Sequence, residues 1–400
     1  MSLPISRLAV VFLLAIFYLG CDSQGNDQEA EAGDVVLSER PALGPEAWTI
    51  GEEPLWVIGS GGTSGSGINL WRVRDALRLD DGRLLVAQAD RKPILMFDSQ
   101  GVFLRRISRE GGGPAEFRGI RSIDLLPDGN LAAWGAVNRH VAVFDTLGRH
   151  LKTISHRNAI PELLTRADIT SSLGLVARKG RAPSAKPVVG RRILEPVRYV
   201  LIDTLGKRRT VAEVPGYSFH GKERDDGRVR WARLLFGFIS QTAEHDGRWV
   251  VGTSEEYEIQ EFRLGPSSHP VRRIRWTPEE DRSVTEAHRA DYLRQRATTS
   301  EDRSYQRSLA GIRDEDFNEV FPTHTALRFG RDGFLWARRF PRPGEAAALW
   351  WVFDPEGIWV TTVSLPADLD LLDAGEDYVL GLAKTDLDVE QIHLYKLQRK

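Results

Sequence analysis

The fold is decided by two stretches that repeat one pattern, "DALRLDDGRLLVAQADRKPILMFDSQGVFLRRI" at residues 75–107 and "IRSIDLLPDGNLAAWGAVNRHVAVFDTLGRHLKTI" at residues 120–154. Each stretch reads as a strand, an Asp-Gly turn, a second strand, a polar break, a third strand ending in Phe-Asp, a glycine turn and a fourth strand. Apolar and polar residues alternate in segments such as "VAVFD" and "HLKTI", as half-buried strands require. The two stretches therefore predict two successive four-stranded antiparallel sheets.

Four weaker copies of this pattern follow, and the last one runs out after three strands, in "DLDLLDAGEDYVLGLAKTDLDVEQIHLYKLQ". The segment "EPLWVIGS" (53–60) near the N-terminus can supply the missing fourth strand. Repeats of about 40 to 50 residues with four strands each are typical of propeller blades. The sequence therefore predicts an all-β, six-bladed β-propeller that is closed by an N-terminal strand, which protects the edges of its terminal sheets.

Three consecutive glycines and Pro114 occur between the first two copies, in "SREGGGPAEFRGIRSIDLLPDGN" (108–130). A phosphate-binding loop needs a helix N-terminus behind its glycines. Here a strand pattern follows instead, so we interpret the glycines as a tight crossing between blades.

The segment "GGGPAEF", followed by a strand, an Asp-Gly turn and "RHVAVFDTLGRHLKTI", resembles the NHL-type repeat of six-bladed propellers. It is particularly similar to bacterial six-bladed propeller lipoproteins that carry a G-x-G-P-G-E-F stretch between blades. Ala115 replaces the last glycine of that pattern, whereas Glu116 and Phe117 are kept. The resemblance covers the first two blades and implies the fold, while function depends on the site that a propeller carries.

The N-terminus, "MSLPISRLAVVFLLAIFYLGC", has one early cation, a short apolar run and then Gly20-Cys21. This pattern predicts a lipoprotein signal peptide with its lipobox at 1–21, so that lipid on Cys21 anchors the protein to a membrane. The alternatives are an ordinary secreted protein and a short anchor. We expect a lipid-anchored protein of the bacterial cell envelope, in the periplasm or on the outer surface.

The remaining chain divides into a disordered acidic tether at 22–50 and the propeller at 51–400, with a helical insertion between blades 4 and 5 at about 277–322. Thr277, Pro278 and Glu280 predict a capped helix start in this insertion. The insertion could form a lid or docking surface, or a solvated elaboration of the rim.

Counting back equally from the first-turn glycine of each repeat gives Arg74, Arg121 and Arg166 in the first three blades. We predict that these side chains lie together at one mouth of the channel and bind an anion, because guanidinium groups suit carboxylates, phosphates and sulfates. Pairing with carboxylates of neighbouring blades is the alternative. The corresponding residues in the last three blades are Ile239, Thr325 and Ala367.

His324 precedes the first strand of blade 5, where it would either contact a ligand or form structural hydrogen bonds. We predict no metal site, no cofactor and no catalytic residue, and a net charge of −2 disfavours nucleic acid as a partner. The sequence favours a non-catalytic binding propeller whose ligand is an anionic small molecule, a glycan or a protein partner. The alternative is a metal-dependent propeller enzyme of the lactonase or lyase type.

Overall fold

The computed structural model describes residues 33–44, 47–64, 67–89, 93–160, 167–179, 183, 185–224, 226–265, 269–298 and 302–400. The predicted signal peptide and Cys21 lie outside this part of the chain. Residues Ala32–Lys400 form one compact unit. None of the described helices has both the length and the apolar character that crossing a bilayer requires.

Three N-terminal strands join sheets that are otherwise built from much later parts of the chain: β1 (Asp34–Ser38), β2 (Trp48–Ile50) and β3 (Trp56–Ile58). Blade 1 then consists of β4 (Val73–Arg78), β5 (Leu84–Gln88), β6 (Leu95–Phe97) and β7 (Phe103–Arg106). A two-stranded link, β8 (Arg109–Glu110) and β9 (Glu116–Phe117), leads to blade 2, which consists of β10 (Ile120–Leu125), β11 (Leu131–Gly135), β12 (His140–Phe144) and β13 (His150–Ser155).

Blades 3 and 4 each have a fifth strand. Blade 3 consists of β14 (Ala167–Ile169), β15 (Leu175–Lys179), β16 (Arg192–Ile202), β17 (Arg208–Glu223) and β18 (Val229–Arg233). Blade 4 consists of β19 (Gln241–His245), β20 (Arg248–Gly252), β21 (Glu258–Arg263) and β22 (His269–Trp276), with β1 added in parallel at its outer edge.

The helical insertion separates blades 4 and 5 and contains α1 (Glu286–Ala297), α2 (Arg303–Ala310) and a 3₁₀ helix at Asp314–Asp316. Blade 5 consists of β23 (His324–Phe329), β24 (Leu335–Arg339), β25 (Ala347–Phe353) and β26 (Trp359–Pro366). Blade 6 consists of β27 (Asp370–Ala374), β28 (Tyr378–Lys384) and β29 (Glu390–Arg399), completed by N-terminal strands. The chain is a six-bladed β-propeller, as predicted.

Strand β3 pairs antiparallel with β29, with Trp56 opposite Leu394 and Ile58 opposite Ile392, so the predicted closing strand is confirmed. Strand β2 pairs further along β29, with Trp48 opposite Arg399. The prediction of a disordered tether up to residue 50 is therefore wrong for the segments that form β1 and β2. The acidic composition of the segment predicted disorder, although the segment includes Trp48. The Trp48 side chain is only 4% exposed and packs against Trp336.

The first strand of each blade packs against the first strands of the two neighbouring blades, in the order β4, β10, β14, β19, β23, β27 and back to β4. These six strands surround the central channel. We name the mouth where they begin the entrance, and the mouth where they end the exit. The hydrophobic core is divided among the interfaces between blades; the fully buried tryptophans are Trp134, Trp249, Trp276, Trp336 and Trp350.

The glycine stretch forms a crossing between blades 1 and 2, as predicted, and a strand follows it rather than a helix. The backbone N–H of Gly113 donates to the carboxylate of Glu116 at 2.9 Å, which closes the turn. Gly111 has φ of +151°, a conformation that favours glycine. Phe117 is fully buried in the core between blades 1 and 2.

The first helix of the insertion begins later than predicted, with Thr285 as its N-cap and His288 completing the capping box. The predicted cap at Thr277 is wrong because Glu280 is engaged elsewhere. Its carboxylate accepts hydrogen bonds from the Tyr257 hydroxyl at 2.5 Å and from the Arg339 guanidinium at 3.1 Å.

The insertion is attached to an extension of blade 3, in which β17 continues past the blade and turns back as β18. Lys222 in this extension donates to the carbonyl oxygen of Gly311 at 2.8 Å. Nε2 of His220 lies 3.0 Å from Oδ1 of Asp316, and the backbone N–H of Leu235 donates to the carbonyl oxygen of Asp316 at 2.8 Å. The insertion and the hairpin β17–β18 are therefore joined through polar contacts, of which the His220–Asp316 pair is buried.

Candidate anion site at the channel entrance

β-Bulges place one extra residue at the start of four of the six first strands. The extra residue is Arg74 in β4, Arg121 in β10, Thr325 in β23 and Leu372 in β27. A bulge places two residues opposite one on the partner strand and changes the direction of a side chain. The counting from sequence therefore identified a structurally equivalent position in blades 1, 2 and 5.

Arg74 and Arg121 line the same cavity of about 250 Å³ at the entrance, as the sequence predicted. Two further arginines also line it, Arg178 from β15 and Arg328 from β23. Among the described residues, two carboxylates accompany these four guanidinium groups, those of Asp75 and Asp168. The remaining polar lining comes from Ser122, Tyr199, Ser240, Gln241, Thr242 and Thr325.

Three of the four arginines form no salt bridge within the described part of the chain, although the charge of Arg328 acts on Asp75. Arg121, Arg178 and Arg328 form no salt bridge with any described residue, and Arg178 instead stacks on the ring of Tyr217. Guanidinium groups that line a cavity without forming a salt bridge keep their paired N–H donors for an anion.

Both carboxylates of the cavity hold neighbouring blades together. Asp75 accepts the backbone N–H of Ile123 in blade 2 at 3.1 Å. Asp168 accepts the hydroxyl of Thr242 at 2.7 Å and the indole N–H of Trp249 at 3.1 Å, both in blade 4. Burial raises the pKa of Asp75 to about 6, although the charge of Arg328 acts in the opposite direction.

Arg166, the third predicted arginine, lies outside the described residues. Arg166 was selected by counting back from Gly174, but the reference position in blade 3 is one residue earlier. In the first turn of blade 3, Leu173 has φ of +64° and donates its backbone N–H to the carbonyl oxygen of Thr170, as Gly82 does to Leu79 in blade 1. Leu173, rather than Gly174, therefore corresponds to the glycine from which the other blades were counted.

The structure does not bring His324 into the entrance cavity, where blade 5 is represented by residues 325–328. The His324 side chain is 1% exposed, and its Nδ1 is 2.9 Å from the Thr323 hydroxyl. Burial lowers its pKa to about 4, so the ring is neutral at physiological pH. Its burial and its hydrogen bond are those of a structural residue.

Two of the remaining predicted mouth positions are displaced. In blade 4 the cavity is lined by residues 240–242, next to Ile239. In blade 6 the bulge residue is Leu372, whereas Ala367 is exposed before β27 and accepts a hydrogen bond from Arg338 at 3.2 Å.

The exit of the channel contains a second cavity, of about 450 Å³, which sequence reasoning missed. Its acidic lining residues are Asp80, Asp81, Asp124, Glu244 and Asp246. Burial is the main cause that raises the pKa of Asp124 to about 7 and of Glu244 to about 8. Arg331 lies 3.8 Å from Asp124. The sequence contained a signal for this cavity, because the first strands of several repeats carry an acidic residue.

The described residues contain no group of three or more His, Cys, Asp or Glu side chains arranged to hold a metal ion. The carboxylates of the entrance cavity, Asp75 and Asp168, are instead on different blades and accept hydrogen bonds from a backbone N–H, a hydroxyl and an indole N–H.

Residues 70–157, which contain blades 1 and 2, match a family model described as a 6-bladed beta-propeller. No curated protein matches the chain in sequence. Among solved structures, the chain is similar to a protein of Bacteroides fragilis described as exported, with 12% identity, 92% of this chain and 99% of that chain covered, and a TM-score of 0.46.

The chain is also similar to a family member of undefined function from Bacteroides vulgatus, with 9% identity, coverage of 88% and 96%, and a TM-score of 0.43. For virginiamycin B lyase from Staphylococcus aureus the identity is 11%, the coverage 83% and 97%, and the TM-score 0.34. We infer function from the geometry of the site rather than from these similarities.

Proposed function

We propose that the protein is an envelope-anchored, non-catalytic binding propeller that recognises an anionic ligand at the entrance of its channel. One observation carries the proposal: Arg121, Arg178 and Arg328 line one cavity and form no salt bridge with a described residue. An anion that enters this cavity gains charge-assisted hydrogen bonds from groups already placed on three different blades, so little ordering is needed on binding.

The N-terminal pattern supports the location of this binding activity. Acylation of Cys21 would hold the propeller at a membrane of the cell envelope, and the polar segment after it would leave the channel accessible. Metabolic labelling with a palmitate analogue tests the anchor. We expect labelled protein from the natural chain and none from Cys21→Ser; labelling of both would contradict the assignment of Cys21.

Titration of the full chain with sulfate, followed by calorimetry, tests the binding site. We expect Arg121→Ala to weaken sulfate binding roughly tenfold, because a charge-assisted hydrogen bond is worth about 1.5–3 kcal/mol. Arg149→Ala is the matched control, since Arg149 is an exposed arginine of blade 2 that pairs with Asp145 at 2.7 Å.

Thermal unfolding of the same variants separates binding from folding. We expect Arg121→Ala to melt at the temperature of the natural protein. Unchanged sulfate affinity together with a lowered melting temperature would assign Arg121 a structural role. Calcium or zinc retained stoichiometrically after dialysis would instead favour the metal-dependent enzyme.

A further inference from the structure

We infer that the entrance site continues along blade 3 into a second anion-binding subsite, which is formed by Arg178, Tyr217 and Arg233. We infer also that the ligand of the two subsites is a chain-like acidic glycan. This inference rests on the proposed anion binding in the cavity and adds the class of ligand and the path that it follows.

The second subsite is a stack of two guanidinium groups on one aromatic ring. The guanidinium carbon of Arg178 is 5.0 Å from the centroid of the Tyr217 ring, and that of Arg233 is 4.1 Å from the same centroid. Cation–π attraction of this kind holds each guanidinium in place without neutralising it. Two positive charges are thus fixed near one another, which raises the local attraction for an anion.

Arg178 connects the two subsites. It lies on β15 and lines the entrance cavity, whereas Arg233 is the exposed last residue of β18 in the hairpin beyond the blade. A line of positive charge therefore leads from the cavity over Tyr217 to the hairpin.

Other arginines of blade 3 are paired with carboxylates, unlike Arg178 and Arg233. Arg192 lies 3.0 Å from Glu319, and Arg198 lies 2.7 Å from Glu213. By contrast, neither Arg178 nor Arg233 forms a salt bridge with any residue that the structure describes. An anionic partner is therefore expected along the Arg178–Arg233 line rather than at the paired arginines.

The cavity is too small to include the second subsite. About 250 Å³ is at or below the lower end of the range for pockets that enclose a small organic ligand, and Arg233 lies outside the cavity. A ligand that contacts both subsites must place one anionic unit in the cavity and the next along the hairpin.

The polar lining favours a glycan over a peptide. The cavity wall between the arginines is polar, with the side chains of Ser240, Thr242 and Thr325 among its lining. Sugar hydroxyls can both donate and accept, so they match a wall of hydroxyl groups. Uronic acid carboxylates match the geometry of the guanidinium forks. Peptides are more often recognised through sheet edges or apolar grooves.

Binding of galacturonate and of an oligogalacturonate to the full chain, measured by calorimetry at one salt concentration, tests this inference. We expect the oligomer to bind more tightly than the monomer. We expect Arg233→Ala to weaken oligomer binding roughly tenfold and to leave monomer binding unchanged, since only the oligomer reaches the hairpin.

Arg230→Ala is the matched control, because Arg230 lies on the same strand and its side chain projects from the opposite face. Tyr217→Phe keeps the ring and should bind as the natural protein does, whereas Tyr217→Leu should weaken oligomer binding more than monomer binding, because it releases both Arg178 and Arg233. Equal losses from Arg230→Ala and Arg233→Ala would overturn the second subsite.

The two arginine variants distinguish an error in the second subsite from an error in the proposed function. If Arg121→Ala weakens both ligands while Arg233→Ala weakens neither, the cavity binds anions and the second subsite is wrong. If neither variant changes binding, the proposed function is wrong as well. Binding of polyglutamate as tight as that of the oligogalacturonate would replace the glycan with an acidic peptide.

Discussion

The two mouths of the channel are built from the same six strands but carry opposite charge. Arginines dominate the cavity at the entrance, where the strands begin with bulges. Acidic residues dominate the cavity at the exit, where Asp124 and Glu244 lie near the ends of β10 and β19. Because the strands are parallel around the axis, a residue's place along its strand decides which mouth it lines. The distance of a residue from the first turn of its repeat therefore corresponds to its position along the channel.

The carboxylates between the two mouths differ from the arginines in their contacts. Asp75 and Asp373 accept backbone N–H groups from the next blade, and Asp373 also accepts the Tyr378 hydroxyl at 2.7 Å. These carboxylates join blades, whereas Arg121 and Arg328 form no salt bridge with the described residues. Buried carboxylates in the middle of the channel therefore join blades, whereas we propose that Arg121 and Arg328 at the entrance contact a ligand.

Reversing the charge of one entrance arginine should have the largest effect. We expect Arg121→Glu to weaken sulfate binding by about a hundredfold or more, because it removes a charge-assisted hydrogen bond and adds repulsion in a partly buried cavity. Calorimetric titration measures the affinity. Arg149→Glu, on the exposed turn of blade 2, is the control for the change of net charge.

A comparable loss in both variants would mean that the overall charge of the protein, rather than the entrance cavity, attracts the anion. Raising the salt concentration provides a second check, since screening would abolish a long-range effect but leave most of a contact in the cavity.

The acidic residues predict that stability decreases as the pH rises. The pKa values of Asp373, Asp124 and Glu244 are raised to about 6, 7 and 8, chiefly by burial. These carboxyl groups retain protons in the folded state that they lose in the unfolded state, so their contribution to the free energy of unfolding decreases between about pH 4 and pH 8. Buried His140 and His324, whose pKa is lowered to about 4, act in the opposite direction below about pH 6.5. Above about pH 6.5 the carboxyl groups dominate, so we expect the melting temperature to be lower at pH 8 than at pH 6.5.

Glu244→Gln should reduce this pH dependence, because a neutral amide occupies the same place at every pH. Differential scanning calorimetry across this range measures the effect in both proteins. A melting temperature that rises between about pH 6.5 and pH 8 in the natural protein would show that the exit carboxylates are ionised at no cost to folding.

The smallest expected effect concerns Asp75, which lies between the two charge regions. Its pKa of about 6 means that protonation removes one negative charge from the entrance cavity as the pH falls. Sulfate should then bind about threefold more tightly at about pH 5 than at about pH 8, as expected for a single charge in a partly solvated cavity. Asp75→Asn should bind sulfate with nearly equal affinity at both pH values; a full pH dependence in this variant would assign the effect to another group.

Much of the fold could be predicted because the turns and strand alternation are local signals. Gly82 and Gly129 have positive φ in equivalent turns, and the Phe-Asp that ends the third strand occurs in both blades. The closing strand was also predictable, because a blade with three strands needs a fourth. The pairing of β1 with β22 was not, since a single outer strand leaves no internal repeat in the sequence.

The candidate site was predictable only in part. Arg74 and Arg121 were found because their bulges fall at the same distance from a glycine turn. Blade 3 departs from that spacing, since Leu173 takes the left-handed conformation that glycine has elsewhere. Arg178 and Arg328 could not be found by counting one position per blade, because they reach the cavity from other positions in the register.

The pairing of β3 with β29 also has a consequence for biosynthesis. Blade 6 cannot be completed until β29 has been synthesised, and its partner is then more than three hundred residues back along the chain. Contacts so distant in sequence form slowly, so β3 must wait unpaired during most of synthesis, and closure of the ring is a late step of folding.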